Sequence, residues 1–286
     1  MKFGFVMPFG DARSAADHAQ LAEQAGWDGF FVSEPVWGVD AWVSLTAAAM
    51  VTQRIRLGTL LSPLSRMRPW RLASQTAALD NLSGGRVILS VGLGATDAGF
   101  ESFGEVTDRK TRAELLDEGL DILTGLWKGQ PFRYQGRHYL VDETSFYPPP
   151  PPVQQPRIPI WVVGAWPSHK SMQRALRYDG LIPSVVDTAP DGARLPRQAL
   201  PSELSDIRDY VRACRESAFP GGAPPYDIVV EGETPWDDPD AAAVQVLTWR
   251  EAGATWWIES LWTAIDQPNP MGLVRQRVQA GPPIII

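Results

Sequence analysis

The chain has 286 residues, of which 44% are hydrophobic and 21% charged, and its formal net charge is −7. Because the charge is negative and no basic cluster is interleaved with aromatic residues, we expect no general affinity for nucleic acid. No uninterrupted apolar run approaches the roughly 20 residues that cross a bilayer, so we expect no membrane span. Cys214 is the single cysteine, which excludes an intramolecular disulfide. The expectation is a cytoplasmic protein whose partners are small molecules.

Short apolar runs alternate with longer helical segments along the chain, which is typical of repeated βα units around a parallel sheet. The runs are nearly all apolar, as in strands that are buried on both faces. The predicted strands are Phe3–Phe9, Asp28–Ser33, Arg56–Leu61, Arg86–Gly92, Ile158–Gly164, Leu181–Ser184, Tyr226–Glu231 and Thr255–Ser260. Eight units in a chain of this length predict one (β/α)8 TIM barrel over residues 1–286, with its working site at the carboxyl ends of the strands.

The first helix is predicted to begin with a Ser14 cap and to carry His18 on its solvated face. Two later segments interrupt the alternation. Gly129–Arg157, between the fourth helix and the fifth strand, predicts an inserted β-hairpin followed by a polyproline II spacer at Pro148–Pro152. Asp187–Pro201, after the sixth strand, predicts an irregular loop of the kind that often shapes a site.

Three carboxylates follow predicted strands and form the first candidate cluster. Glu34, Glu231 and Glu259 lie at the carboxyl ends of the second, seventh and eighth strands, so folding should bring them around one barrel mouth. The residues alone allow a divalent cation site, acid–base chemistry or pairing with arginine. The three histidines show no metal-binding spacing, so we predict no metal site from them.

The segment after the fifth strand, GAWPSHKSMQ, combines small or hydroxyl residues with a lysine near a predicted helix start. Free backbone N–H groups at a helix N-terminus favour an anion. Gly164, Ala165, Ser168 and Lys170 could therefore hold a phosphate, while a capped helix with a solvated lysine explains them equally well.

Glycines and tryptophans supply further candidates. Gly92 and Gly94 end the fourth strand, where they would admit a flat ring or a phosphate, or simply form a tight turn. Trp37 and Trp42 lie in or near predicted loops at the mouth. Most tryptophans should serve packing, but a few could form the walls of an aromatic or flavin pocket, because indole faces stack well on planar rings.

Several longer motifs together resemble the bacterial luciferase-like superfamily, which comprises flavin monooxygenases and relatives that use the deazaflavin F420. The resemblance covers most of residues 1–184 and agrees only in outline beyond. Its motifs are FGFVMPFG, WDGFFVSE, RIRLGTLLSPLSRMRPWRLASQTAALDNLSGGRVILSVGLG, IPIWVVG and ALRYDGLIP.

The resemblance implies a flavin-type ring supported by a bulge after the third strand, with a non-prolyl cis peptide at Leu60–Leu61. It also implies that Gly92, Gly94 and Ala95 lie beside the cofactor tail. The phosphate region would comprise Gly164, Ala165, Trp166 and Ser168, which favours the anion site suggested above together with Lys170. Members of the superfamily carry a histidine after the second strand, but this chain has Glu34–Pro35 there. Glu34 is therefore the catalytic candidate.

On this basis we expect an oxidoreductase that binds FMN and, with reduced flavin and O2, oxygenates a small organic substrate. Substrate contacts are assigned to Trp37, Trp42, Glu231 and Glu259. A separate flavin reductase and a second copy of the chain, in a homodimer, are the expected partners. Hydride transfer with F420 is the alternative cofactor chemistry. A metal-dependent isomerase or hydrolase built on the three glutamates, and a flavin-binding protein without turnover, are the remaining hypotheses.

Overall fold

Eight parallel strands coincide with the eight predicted apolar runs, and the fold is a (β/α)8 barrel. The computed structural model describes residues 1–145, 149–189 and 194–285. The strands are β1 (Lys2–Met7), β2 (Gly29–Val32), β3 (Arg56–Thr59), β4 (Ser62–Pro63), β5 (Val87–Gly92), β6 (Phe132–Gln135), β7 (Leu140–Thr144), β8 (Ile160–Trp166), β9 (Gly180–Thr188), β10 (Arg194–Gln198), β11 (Asp227–Gly232) and β12 (Trp256–Ser260).

Each barrel strand is followed by a helix or by a segment that contains one. The helices are α1 (Ala12–Ala25), α2 (Ala41–Val51), α3 (Pro69–Ser83), α4 (Arg109–Lys128), α5 (His169–Leu176), α6 (Pro201–Ala218), α7 (Pro239–Ala252) and α8 (Pro270–Ala280). Short 3-10 turns cover Leu64–Arg66, Glu101–Phe103 and Trp262–Asp266. Within the described ranges, none of these helices is both long and apolar enough to cross a membrane.

The chain divides into two compact units, and the prediction of a single domain stays a prediction. The first unit comprises Met1–Pro8, Leu21–Gly29 and Ile160–Ile286. In it, β8 pairs with β9, β9 with β11, β11 with β12, and β12 with β1, all in parallel. Strand β10 pairs with the last five residues of β9 in an antiparallel arrangement. The prediction of an irregular loop over Asp187–Pro201 was therefore wrong in part, because Arg194–Gln198 pairs with Ser184–Thr188 of β9. Residues 190–193 of the predicted loop lie outside the described residues.

The second unit comprises Phe9–Gln20 and Phe30–Pro159. Here β5 pairs in parallel with both β3 and β4, so the end of β5 lies beside the segment that follows β3. The predicted hairpin of the insertion is confirmed, since β6 and β7 are antiparallel. Residues 149–152 of the proline tract adopt neither helix nor strand, and Pro148 lies outside the described residues.

The prediction for the first helix was wrong at two positions. Helix α1 begins at Ala12, and Asp11 accepts a hydrogen bond from the Ser14 backbone N–H at 2.8 Å, so Ser14 lies within the first turn. His18 is 4% exposed rather than solvated. The reason is the helical register, because residue 18 shares one face with the fully buried Ala15, Ala19 and Ala22.

Candidate active site

Glu34 lies two residues beyond the end of β2, where its carboxyl group is half-buried. Ser62 donates its hydroxyl hydrogen bond to Oε2 of Glu34, and the Trp42 indole donates to Oε1 at 3.1 Å. Trp42 is 6% exposed at the start of α2, where the Asp40 carboxylate caps the backbone N–H of residue 42 at 2.9 Å. Each carboxyl oxygen of Glu34 is therefore held by a different segment, Oε2 by Ser62 and Oε1 by Trp42 of α2.

The segment between β3 and β4 forms the predicted bulge. The Leu60–Leu61 peptide bond is cis, which confirms the prediction made from the resemblance. The Leu60 backbone N–H donates to the carbonyl of Val32 at 2.9 Å, which ties the bulge to the end of β2. Ser62 follows the cis peptide directly, so the bulge and the Glu34 carboxyl group are joined by one hydrogen bond.

The charge of Glu34 is set mainly by burial, which raises the pKa of its carboxyl group. The hydrogen bond from Ser62, the positive charge of Arg66 and the bond from Trp42 oppose this rise, and the negative charge of Asp40 adds to it. Arg66 is held nearby because its Nη2 donates to the Pro35 carbonyl at 2.6 Å. The proton of Glu34 is therefore retained to higher pH than in an exposed carboxyl group.

The glycines after β5 lie beside this bulge, since Pro63 of β4 pairs with Gly92. Gly94 has a φ of +76°, and a Cβ there would lie 2.7 Å from the Phe100 ring. Arg112 donates to the Gly94 carbonyl at 3.0 Å. A turn packed by the chain itself thus accounts for Gly94, and contact between Gly92, Gly94 or Ala95 and a cofactor stays a prediction.

The candidate phosphate region belongs to the first unit, and its contact with a phosphate stays a prediction. Gly164, Ala165 and Trp166 end β8, and Ser168 and Lys170 begin α5. A Cβ on Gly164 would meet the Leu181 side chain, so packing alone requires a glycine there. Ser168 makes no side-chain capping bond to the described residues, and Lys170 is exposed.

Glu259 is fully buried and its carboxylate is occupied by protein groups. Arg277 donates from Nε to Oε1 at 3.1 Å, and Trp257 donates to Oε2 at 2.9 Å. The Thr234 backbone N–H donates to Oε1 at 2.9 Å. Substrate contact by Glu259 was a prediction and has not been tested, but this geometry favours a structural role.

Glu231, at the end of β11, is half-buried. Burial raises the pKa of its carboxyl group, and a hydrogen bond from the Trp262 side chain opposes the rise. The amide of Gln198, from β10, donates to the Glu231 carbonyl. The predicted substrate contact by Glu231 stays a prediction, as does that by Trp37, which is 83% exposed.

The described residues offer no support for the metal-dependent hypothesis. Within residues 1–145, 149–189 and 194–285, no group of three His, Cys, Asp or Glu side chains could hold a metal ion. Glu259 is engaged by Arg277, while Glu34 accepts from Ser62 and Trp42. Arginine pairing, which the sequence left open, is what the structure gives for Glu259.

Sequence reasoning missed Ser62, Thr59 and Arg66. Ser62 Oγ also lies within hydrogen-bond distance of Thr59 Oγ1, at 2.9 Å, and both hydroxyl side chains are fully buried. The one available signal was local: two hydroxyl residues directly flank the predicted cis peptide in the segment TLLS. Their link to Glu34 spans 28 positions along the chain and has no signature in the pattern.

Comparison with known proteins matches the chain to luciferase-like oxidoreductases. Residues 1–260 match the family model described as luciferase-like monooxygenase. The F420-dependent glucose-6-phosphate dehydrogenase of Nakamurella multipartita is 30% identical over 54% of this chain and 47% of its own length. The F420-dependent hydroxymycolic acid dehydrogenase of Mycobacterium tuberculosis is 28% identical over 90% of this chain and 66% of its own length. The chain thus spans between about half and two thirds of these relatives.

A solved structure shares the fold across the whole chain. It is the oxygenating constituent of 3,6-diketocamphane monooxygenase from a Pseudomonas putida plasmid, a type II Baeyer-Villiger monooxygenase in complex with FMN. It covers 100% of this chain and 99% of its own, with a TM-score of 0.68 and 17% identity. This likeness establishes the barrel architecture.

Proposed function

Because the chain belongs to the luciferase-like monooxygenase family, we propose that it is an oxidoreductase that transfers hydride between F420 and a small hydroxyl-bearing substrate. The observation that carries the proposal is the half-buried Glu34 carboxyl group, bonded through Ser62 to the cis Leu60–Leu61 bulge. The two sequence relatives described above are named as F420-dependent dehydrogenases, which favours F420 over FMN as the first candidate.

The residues present suit a flavin-type cofactor. The apolar Leu60–Leu61 bulge would support the ring, and Gly92 lies alongside it. Taken by itself, the start of α5 in the first unit would suit a phosphate, because Lys170 is exposed there and the Ser168 hydroxyl makes no capping bond to the described residues. When bound, the cofactor supplies hydride acceptance and donation, which no side chain can provide.

Glu34 is proposed to move the proton that accompanies the hydride. Oxidation of an alcohol to a carbonyl releases one hydride and one proton, and the ionised Glu34 carboxylate accepts that proton from the substrate hydroxyl. In the reverse direction the neutral carboxyl group returns it. A raised pKa suits both tasks, because a base is most effective when its pKa is close to the working pH.

The second candidate is the FMN-dependent monooxygenase that the sequence resemblance first suggested. The Pseudomonas putida structure described above contains FMN and shares this fold, which supports keeping this candidate. Such an enzyme consumes reduced flavin, so a separate flavin reductase would be its partner. In this version Glu34 would orient the substrate.

Cofactor titration separates the two candidates. We expect the purified chain to bind F420 in an equilibrium titration and to reduce it in the presence of an alcohol without oxygen. FMN binding with no F420 binding would overturn the first candidate in favour of the second. Binding of neither cofactor would overturn both.

Variants at Glu34 test its proposed role. Glu34→Gln keeps the shape of the side chain and should lower turnover by about 10²–10⁴-fold while leaving F420 affinity nearly unchanged. Glu101→Gln is the matched control, because Glu101 is an exposed carboxylate on the same unit. Equal turnover of the two variants would rule out Glu34 as the proton-transfer group.

A further inference from the structure

The side chains of Glu34, Ser62 and Thr59 form a hydrogen-bonded series beside the bulge. Ser62 Oγ contacts Oε2 of Glu34 on one side and lies 2.9 Å from Thr59 Oγ1 on the other. Thr59 Oγ1 in turn lies 3.4 Å from the carbonyl of Ser90. Ser62 and Thr59 are fully buried, whereas Glu34 is half-buried, so the series runs from an accessible carboxyl group into the protein interior.

Each hydroxyl group has one proton, and burial requires that this proton find an acceptor. When Glu34 is ionised, Ser62 donates to Glu34, and Thr59 donates to the Ser90 carbonyl. When Glu34 is neutral, its own proton can be donated to Ser62, which then donates to Thr59, and Thr59 still donates to Ser90. Every proton is therefore paired in both states, and only the Ser62 hydroxyl changes direction.

We propose that Ser62 is a positioning residue, which allows Glu34 to gain and lose a proton by turning its hydroxyl between Glu34 and Thr59. The proposal deepens the function proposed above and rests on it for its purpose, since a proton-transfer group must be paired in both of its states. Ser62 itself need not contact the substrate. Its position directly after the cis Leu60–Leu61 peptide fixes the carboxyl group relative to the bulge.

Two substitutions should move the pKa of Glu34 in opposite directions. Ser62→Ala removes a donor to the ionised carboxylate, and because hydrogen bonds to charged groups are about twice as strong as neutral ones, the pKa should rise by roughly one unit. Thr59→Val removes only the acceptor that Ser62 uses in the neutral state, so the pKa should fall by roughly half a unit to one unit. A purely structural role would not give opposite signs.

Other charged groups near Glu34 are unchanged by these substitutions. Arg66, from the 3-10 turn after β4, lowers the pKa of Glu34, and Asp40, at the start of α2, raises it. Ser65→Ala is the matched control, because Ser65 is buried in the same segment but donates to the Leu93 carbonyl at 3.3 Å rather than to Glu34. The pKa of Glu34 should not change in this control.

The test is a nuclear magnetic resonance titration of the full chain with isotopically labelled glutamate and no added cofactor. The Glu34 signal is identified by its loss in Glu34→Gln. The Trp42 indole N–H, which donates to Glu34, should titrate with the same midpoint and gives a second readout. Shifts of opposite sign in Ser62→Ala and Thr59→Val are the expected result.

Shifts of the same sign, or no shift in either variant, would overturn the proposal. If Ser62→Ala does not fold, Thr59→Val decides alone, and an unchanged or raised pKa would then overturn it. Because the titration needs neither cofactor nor turnover, its failure is distinct from failure of the proposed function, which the cofactor titration detects.

Discussion

Replacing Arg277 with methionine should destabilise the protein by about 3–5 kcal/mol, the usual effect of removing one partner from a buried ion pair. Arg277 and Glu259 are 1% and 0% exposed, and their charged atoms lie 3.1 Å apart. Methionine retains much of the apolar stem of arginine, so the main loss is electrostatic. Among the described residues, Thr234 and Trp257 would remain as donors to Glu259, whose side chain is fully buried.

Urea denaturation measures this effect, and the midpoint of thermal unfolding should fall by roughly 2–4 °C per kcal/mol. Arg275→Met is the matched control, because Arg275 is exposed on the same helix. The double variant Glu259→Gln with Arg277→Met should be less destabilised than the sum of the single variants, by about 1–3 kcal/mol, since neither charge is left alone.

If Arg277→Met is no more destabilised than Arg275→Met, the buried ion pair does not stabilise the fold. A Glu259→Gln variant that unfolds like the wild type but loses substrate affinity would likewise refute a structural role for Glu259. That second outcome would instead support the substrate contact predicted for Glu259 from the sequence.

Three further predictions concern other parts of the molecule. Gly94→Ala should lower the free energy of unfolding by about 1–2 kcal/mol because of its left-handed backbone, and by about 1–3 kcal/mol more because the new Cβ would contact Phe100. Gly104→Ala is the control in the same urea assay. Gly104 has a similar φ of +68° but open space around it, so this variant should lose only the first amount. Burial raises the pKa of Glu231, so the fold disfavours its charged form. Glu231→Gln should therefore melt at a higher temperature than the wild type at neutral pH. This difference should shrink as the pH falls through the raised pKa toward the ordinary value of 4.5, and it should be nearly absent below that value. The predicted homodimer could form through the apolar outer face of α2, where the Met50 side chain is 65% exposed. In that case Met50→Glu should be a monomer by analytical ultracentrifugation. An unchanged dimer would place the interface elsewhere.

The sequence by itself determined the architecture, because the hydrophobicity of a segment and the spacing of its apolar residues can be read from that segment alone. A parallel strand that is covered on both faces must be apolar along its length, and all eight such runs became barrel strands. The inserted hairpin was visible for a similar reason, as an aromatic stretch between two turns. The cis Leu60–Leu61 peptide was accessible only through resemblance to a family, since nothing in two adjacent leucines indicates it.

Only the tertiary structure decided how the polar side chains are paired. The three glutamates that were predicted at the carboxyl ends of strands lie in different environments. Glu259 is buried against Arg277, Glu231 is half-buried beside Trp262, and Glu34 is bonded to Ser62. Each partner is distant in sequence or hidden in an unremarkable segment, so no local pattern could distinguish the three carboxyl groups.

The same limit explains the error at His18. A polar residue on an alanine-rich helix is compatible with either face, and the buried face follows from the register in which the helix packs. Local chemistry thus specifies which elements form, whereas the meeting of distant side chains specifies which carboxyl group is paired with an arginine and which is bonded to a hydroxyl group. In this protein that distinction separates Glu34 from Glu259.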